Sequence, residues 1–326
     1  MLQIDEIDVP RVKKNEILVR IHSAALNHLD LWVRKGIPGI SLPIILGSDG
    51  AGIIETLGSD IAKDQQMRTG DEVFLVPFRS SEPFGSAEEF SESYKILGEH
   101  LDGTQAEFVC VPVNFVMPKP RRLTWEQTSA FPLAYMTAYH MLTKKVHLKE
   151  GQYVLIWGAS SGIGSAAIQI AKLYGTTVIT TTSTEQKTKF AYNLGADYVI
   201  NYNHDDVGKS VLNITKSKGV DVVFEHVGEK SWSHSLRSLK KGGKIIVCGS
   251  TTGPRIQMDL RHLYIKHQQI IGSTMGNRQD LSELSIILEQ GKIKPIVGEC
   301  LHFTEIKKAH EILEQNQQMG KIVINF

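Results

Sequence analysis

The chain has 326 residues, with 36 Lys and Arg against 35 Asp and Glu, and 41% of its residues are hydrophobic. That length suffices for about two domains with substantial cores, and a net charge of +1 gives no bias toward nucleic acid or an acidic membrane. Moderate charge and only 11 prolines exclude a disordered or collagen-like chain.

Residues 15–120 carry short β-like runs at 17–21, 52–55, 73–76 and 108–111, punctuated by Gly70-Asp71 and by Pro38, Pro43, Pro112 and Pro118. Few helices are expected there, so this part reads as a mostly β domain. Thr124, with Gln127 three residues on, has the form of a helix N-cap and opens a predicted helix to about Leu142. From there strands and helices alternate. Strands are expected at 153–157, 177–182, 198–200, 221–224, 244–248 and 269–271, with helices to Tyr174 and near 185–194, 206–217 and 231–240. That spacing implies a doubly wound parallel sheet of six strands, covered on both faces. The tail adds an amphipathic helix on Leu281, Leu284, Ile287 and Leu288, another helix near 304–315, and a strand at 321–325. These have no place in the six-stranded sheet and are expected to return to the first domain. The predicted domains are therefore 1–121 with 263–326, and 122–262.

Cys110, Cys248 and Cys300 are far apart and never in a CxxC spacing, which argues against a disulfide framework and fits a reducing, cytoplasmic setting. Asp5, Glu6 and Asp8 stand where a signal peptide needs a basic start. Residues 151–171 lack charge and are long enough to span a bilayer. Gly158, Gly162, Gly164, Ser160, Ser161, Ser165, Gln152 and Gln169 make them too polar, so no membrane segment is expected.

The chemistry lies in that stretch. A buried strand ends in Gly158-Ala159-Ser160-Ser161-Gly162-Ile163-Gly164, and an Ala-rich helix starts at once. Small residues there let backbone N–H groups reach a pyrophosphate at the positive end of a helix. Strict GxGxxG is absent, and the best register is Ala159-x-Ser161-x-x-Gly164. In its strand–turn–helix setting the motif predicts dinucleotide binding through Ser160, Ser161, Gly162, Ile163 and Gly164. The next strand ends in Thr180, Thr181, Thr182, Ser183 and Thr184 without an acid, and Lys187 follows. Hydroxyls and an ammonium suit a ribose 2′-phosphate, so NADPH is favoured over NADH, with Ser183 and Lys187 as contacts. The competing reading of Lys187 is a solvated residue on a first helical turn. The same run also spells the GASSGIG of short-chain dehydrogenases, but none of the nine tyrosines has the Lys at +4 that their chemistry needs.

A β domain, a nucleotide fold and a C-terminal return, together with Ala25-Leu26-Asn27-His28-Leu29-Asp30, Leu46-Gly47-Ser48-Asp49-Gly50, Thr69-Gly70-Asp71-Glu72-Val73, Ile96-Leu97-Gly98-Glu99-His100 and Gly320-Lys321-Ile322-Val323, resemble the medium-chain dehydrogenase/reductase superfamily over nearly the whole chain. Relative to that family the chain starts late in its first domain. The resemblance implies a GroES-like catalytic domain beside a Rossmann domain. Zinc-type members hold a catalytic zinc on Cys, His and Cys or Glu; the matching positions here are Asn27, Ser48 and Leu133, and 80–93, the equivalent of the structural zinc lobe, has no cysteine. Both zincs are expected to be absent. What remains is similar to zinc-independent quinone oxidoreductases and enone reductases. That similarity implies Asn27 and His28 as donors to a developing enolate, with His28 equally suited to a cofactor phosphate, and Trp32 as a substrate-cleft wall. It also implies Thr137, Gly249 and Ser250 near the nicotinamide, Tyr202 near the adenosine phosphate, and hydride delivery at the mouth between the domains. The 79–93 stretch is expected to be a mobile surface loop. The sheet edge near 268–274 predicts a homodimer, or a dimer of dimers. The open alternatives are an alcohol or aldehyde dehydrogenase with cryptic metal use, and a non-catalytic NADPH-binding protein.

Overall fold

The computed structural model describes residues 2–61 and 67–326 and divides the chain into two compact units, 1–136 with 277–326, and 137–276. The first unit is built on a seven-stranded sheet. Strand Glu16–Ala25 lies at its centre, pairing antiparallel with Asp49–Leu57, Phe108–Pro112 and Lys321–Asn325. Through the last of these the C-terminal strand joins this sheet: Ser23, Ala24 and Ala25 face Asn325, Ile324 and Val323. Ile17, Val19, Ile54, Val73, Leu75, Val111, Ile322 and Ile324 bury their side chains in one core with Ile306, Ala309 and Leu313 of helix Ile306–Glu314.

The second unit is a six-stranded, all-parallel sheet in the order Tyr198–Asn201, Thr177–Thr182, Tyr153–Ile156, Val220–Glu225, Leu239–Val247, Gln269–Gly272. This is the doubly wound Rossmann order, with its switch point between Tyr153–Ile156 and Val220–Glu225. Near-continuous apolar strands such as 154–156 and 222–224 are what a sheet buried on both faces requires.

Three expectations shift. The unit boundaries fall at 136/137 and 276/277 instead of 121/122 and 262/263. Helix Trp125–Ala130 packs on the strands of the first sheet, with Ser23 Oγ donating to Trp125 O at 2.8 Å, while Gln269–Gly272 is the sixth strand of the second. The helix predicted to Leu142 breaks after Ala130, because Pro132 has no N–H to continue it; it resumes as Pro132–Tyr139 and widens into a π-turn at His140–Lys145. The 79–93 stretch is anchored. Glu88 is fully buried against Arg278, which donates to it from Nε at 2.6 Å and from the backbone at 2.8 Å, and lies over the Phe115 ring.

Candidate cofactor turn and amide–ammonium cluster

The predicted phosphate turn forms at the C-terminal end of strand Tyr153–Ile156. Gly158 adopts φ +65°, its N–H donating to Thr181 Oγ1 at 3.0 Å. Ser161 caps helix Gly162–Leu173: its Oγ accepts from Gly164 N at 2.9 Å and donates to Gly158 O at 2.8 Å. The Ser161 hydroxyl is thus spent within the turn. The amides of Gly162 and Ile163 make no hydrogen bond to the described residues and stand at the positive helix end, ready for an anion. Gly164 is required sterically, since a Cβ there would lie 2.1 Å from Gly158 O. Ser160 is half-buried beside them.

Ser183, Lys187 and Tyr202 gather at the neighbouring strand ends. Tyr202 N donates to Thr182 O at 3.0 Å, and Asn203 Nδ2 to Ser183 O at 2.9 Å. Lys187 lies on the first turn of helix Glu185–Asn193, capped by Thr184, and burial pushes its ammonium pKa down. The only acid of that turn, Glu185, points to solvent and pairs with Lys189 at 3.4 Å. A partly desolvated ammonium near hydroxyl-bearing residues is chemistry that suits a phosphate.

Gly249 and Ser250 lie in the loop after Leu239–Val247. It is zipped to the end of Val220–Glu225 by Thr251 N to His226 O at 3.2 Å and Thr252 N to Val227 O at 2.8 Å. His226 itself escaped the sequence reading. Buried, with its pKa lowered by desolvation, it sits at the switch point, its Nε2 2.9 Å from Trp157 O. Its partner Glu225 is fully buried and accepts from Val227 N, Gly228 N, Ser231 Oγ and Ser235 Oγ; Ser235 in turn accepts from Trp157 Nε1 at 2.8 Å. The signal was its place directly after a buried parallel strand. Thr137 is buried on Pro132–Tyr139 at the start of the second unit.

In the first unit, Asn27 caps helix His28–Lys35. Its Nδ2 donates to Asp49 Oδ2 at 2.9 Å, and its Oδ1 accepts from Lys321 Nζ at 2.5 Å. Lys321 Nζ also reaches Asp49 Oδ2 at 2.9 Å, and Asp49 Oδ1 accepts from Leu133 N at 2.7 Å. Asp30, fully buried, accepts from Asn27 N and Gly47 N; burial raises its pKa to about 6 against those hydrogen bonds. His28 and Trp32 are half-buried on one helix face, ring centroids 6.3 Å apart. The three positions that match zinc ligands do not suit that ion. Asn27 already faces an ammonium, Ser48 donates its hydroxyl to Leu97 O at 2.7 Å, and Leu133 offers only a backbone N–H. Among the described residues no group of three or more His, Cys, Asp or Glu could hold a metal ion. Nor is any helix among them long and apolar enough to cross a membrane.

The family model described as "Alcohol dehydrogenase GroES-like domain" matches residues 13–121, and that described as "Zinc-binding dehydrogenase" matches residues 162–290. Crotonyl-CoA carboxylase/reductase of Cereibacter sphaeroides is 33% identical, over 97% of this chain and 81% of its own. Quinone oxidoreductase of Pongo abelii is 29% identical, over 98% and 92%. Among solved structures, an NAD-dependent alcohol dehydrogenase superposes with a TM-score of 0.93 at 36% identity, over 99% of this chain and 95% of that one. The 2-octenoyl-CoA carboxylase reductase CinF, in complex with NADP and 2-octenoyl-CoA, superposes at 0.87 and 27% identity, over 99% and 81%. With a GroES-like domain, a Rossmann domain and relatives of this identity along nearly its whole length, the chain belongs to the medium-chain dehydrogenase/reductase superfamily and is an oxidoreductase.

Proposed function

We propose that this protein is an NADPH-dependent reductase that adds hydride to the conjugated carbon of an enoyl thioester, an enone or a quinone, without a catalytic zinc ion. The observation that carries the reading is the cluster of Asn27, Asp49 and Lys321, which sets an ammonium against Asn27, one of the three positions that match zinc ligands. Oxidation of an unactivated alcohol is hard without a Lewis acid or a poised base to stabilise the alkoxide. A conjugated acceptor spreads its developing charge to a remote oxygen, for which hydrogen-bond donors and a proton from water suffice.

The residues present fit the cofactor. Gly162 and Ile163 amides would hold the pyrophosphate, and Ser183, Lys187 and Tyr202 the 2′-phosphate. Thr137, Gly249 and Ser250 would line the nicotinamide end. Bound there, the reduced nicotinamide supplies a hydride. Asn27 or His28 donates a hydrogen bond to the enolate oxygen, Trp32 walls the substrate, and water returns the proton to carbon. The crotonyl-CoA and quinone relatives support this substrate class, and CinF, crystallised with NADP, supports the cofactor. The alcohol dehydrogenase with a TM-score of 0.93 favours a second reading, alcohol or aldehyde oxidoreduction.

One assay separates them. NADPH and NADH oxidation is followed with crotonyl-CoA, an enone, a quinone and an aldehyde, with and without chelator, alongside metal analysis. Turnover of conjugated substrates with NADPH, insensitive to chelator, is expected. Stoichiometric zinc with chelator-sensitive alcohol or aldehyde turnover would establish the second reading, and tight NADPH binding without any turnover would leave a non-catalytic binding protein.

A further inference from the structure

We infer that Lys321 is a positioning residue for the hydrogen-bond donor of this site: together with Asp49 it locks the Asn27 carboxamide into one orientation, in which the amide presents a donor and withholds its acceptor. This role rests on the reductase reading above and specifies how the site can stabilise an enolate with no metal.

A carboxamide has two ends of nearly equal shape, one accepting and one donating twice, so its flip is set by its partners. Those of Asn27 are as discriminating as side chains can be. Lys321 Nζ, 2.5 Å from Oδ1, can only donate; Asp49 Oδ2, 2.9 Å from Nδ2, can only accept. A flipped amide would set its NH2 against the ammonium and its oxygen against the carboxylate. Both contacts would be repulsive, in a place where Asp49 is fully buried and Lys321 is 4% exposed.

The lock is itself held at both ends. Asp49 is fixed by Leu133 N on Oδ1 and by Thr104 Oγ1 on its backbone oxygen, and the Asn27 backbone is fixed by Asp30, which Gly47 N holds in turn. Of the two N–H bonds on Nδ2, one goes to Asp49, and the other has no acceptor among the described residues. Ammonium and carboxylate cancel in net charge, so the cluster offers an incoming oxyanion a directed N–H dipole with no competing lone pair. Sequence distance hides the arrangement, since Asn27 and Lys321 lie 294 residues apart.

The test compares the wild type with Lys321→Met/Asp49→Asn, Asn27→Leu and the triple variant. The pair is changed together because Lys321→Met alone would strand a buried carboxylate, and thermal unfolding checks that each variant is folded. Steady-state kinetics use crotonyl-CoA and NADPH, and NADPH Kd is read by fluorescence. We expect the double variant to lose about 10- to 100-fold in kcat with NADPH Kd within about twofold, because an amide released at both ends loses its position as well as its flip: free flipping alone costs about twofold, and a donor displaced by about 1 Å costs the rest. In the Asn27→Leu background the same two changes should cost nothing further, since Lys321 acts through Asn27. Unchanged kcat, a loss confined to NADPH Kd, or full additivity with Asn27→Leu would overturn the lock alone. A wild-type enzyme inert toward every conjugated substrate would overturn the reductase reading and the lock with it.

Discussion

His310 offers a quantitative test of the fold. It is fully buried in helix Ile306–Glu314, and among the described residues neither ring nitrogen has a hydrogen-bond partner. Desolvation, reinforced by the charge of Arg34 and only partly opposed by Glu314, pushes its pKa from 6.5 down to about 4. Glu314 has little to spare for it, being held by Arg34 at 2.7 Å and Lys35 at 2.6 Å. The unfolded chain protonates this histidine near 6.5 and the folded protein only near 4. Stability attributable to it is therefore full above about pH 7, falls as pH drops through that window, and levels off below about 4. The shift of 6.5 − 4 = 2.5 pK units corresponds to about 3.4 kcal/mol over the whole window, and about 2 kcal/mol of it is lost by about pH 5. His310→Leu removes both the titration and two orphaned polar atoms. We expect it to stabilise the protein by about 1–3 kcal/mol at about pH 7.5, and by about 2 kcal/mol more at about pH 5. Urea unfolding of the two proteins at both pH values measures the difference directly. A gain of the same size at the two pH values would refute the assignment of a depressed pKa to His310, and a loss at pH 7.5 would refute the claim that its nitrogens are unsatisfied.

Four further outcomes are expected. Lys187→Ala should raise the KM for NADPH by about 10- to 100-fold and leave that for NADH unchanged, the cost of one charge-assisted phosphate contact, read from initial rates. Gly164→Ala should abolish nucleotide binding in a fluorescence titration and lower the unfolding temperature, because the new Cβ meets the Gly158 carbonyl at 2.1 Å and backbone cannot yield. Arg278→Met should cost about 3–5 kcal/mol in urea by stranding buried Glu88, and Arg278→Met/Glu88→Gln should recover a large part of it. Strand Gln269–Gly272 is the outer strand of its sheet, with Ile270 39% exposed, and a second copy of this chain pairing there would make the protein a dimer in sedimentation at micromolar concentration.

The Gly158–Gly164 turn was legible because everything it needs is contiguous. An apolar strand, residues small enough for close approach and an immediate helix lie within about a dozen positions, and the close Gly164–Gly158 approach follows from that spacing alone. The Thr124–Gln127 capping box was legible for the same reason, and both of its hydrogen bonds form. The break at Pro132 was missed because an apolar periodicity runs straight through it. In the second unit, the strand expected at 244–248 starts at Leu239 and takes residues assigned to a helix, since Leu239 pairs with Val220 across an irregularity no local pattern announces. His226 was overlooked as one of 12 histidines; only the adjacency of two parallel strand ends gives it a partner.

Hydrophobic period, turn residues and cap spacing act over a few residues. From the sequence alone they therefore determined the class of fold, the six-stranded parallel sheet and the strand–turn–helix at Gly158–Gly164. The tertiary structure decided what the polar residues do. Burying Asp49, Lys321 or Arg278 is tolerable only beside a partner that repays the lost hydration, and those partners, Asn27, Lys321 and Glu88, arrive from segments that share nothing in sequence but a place in the folded chain.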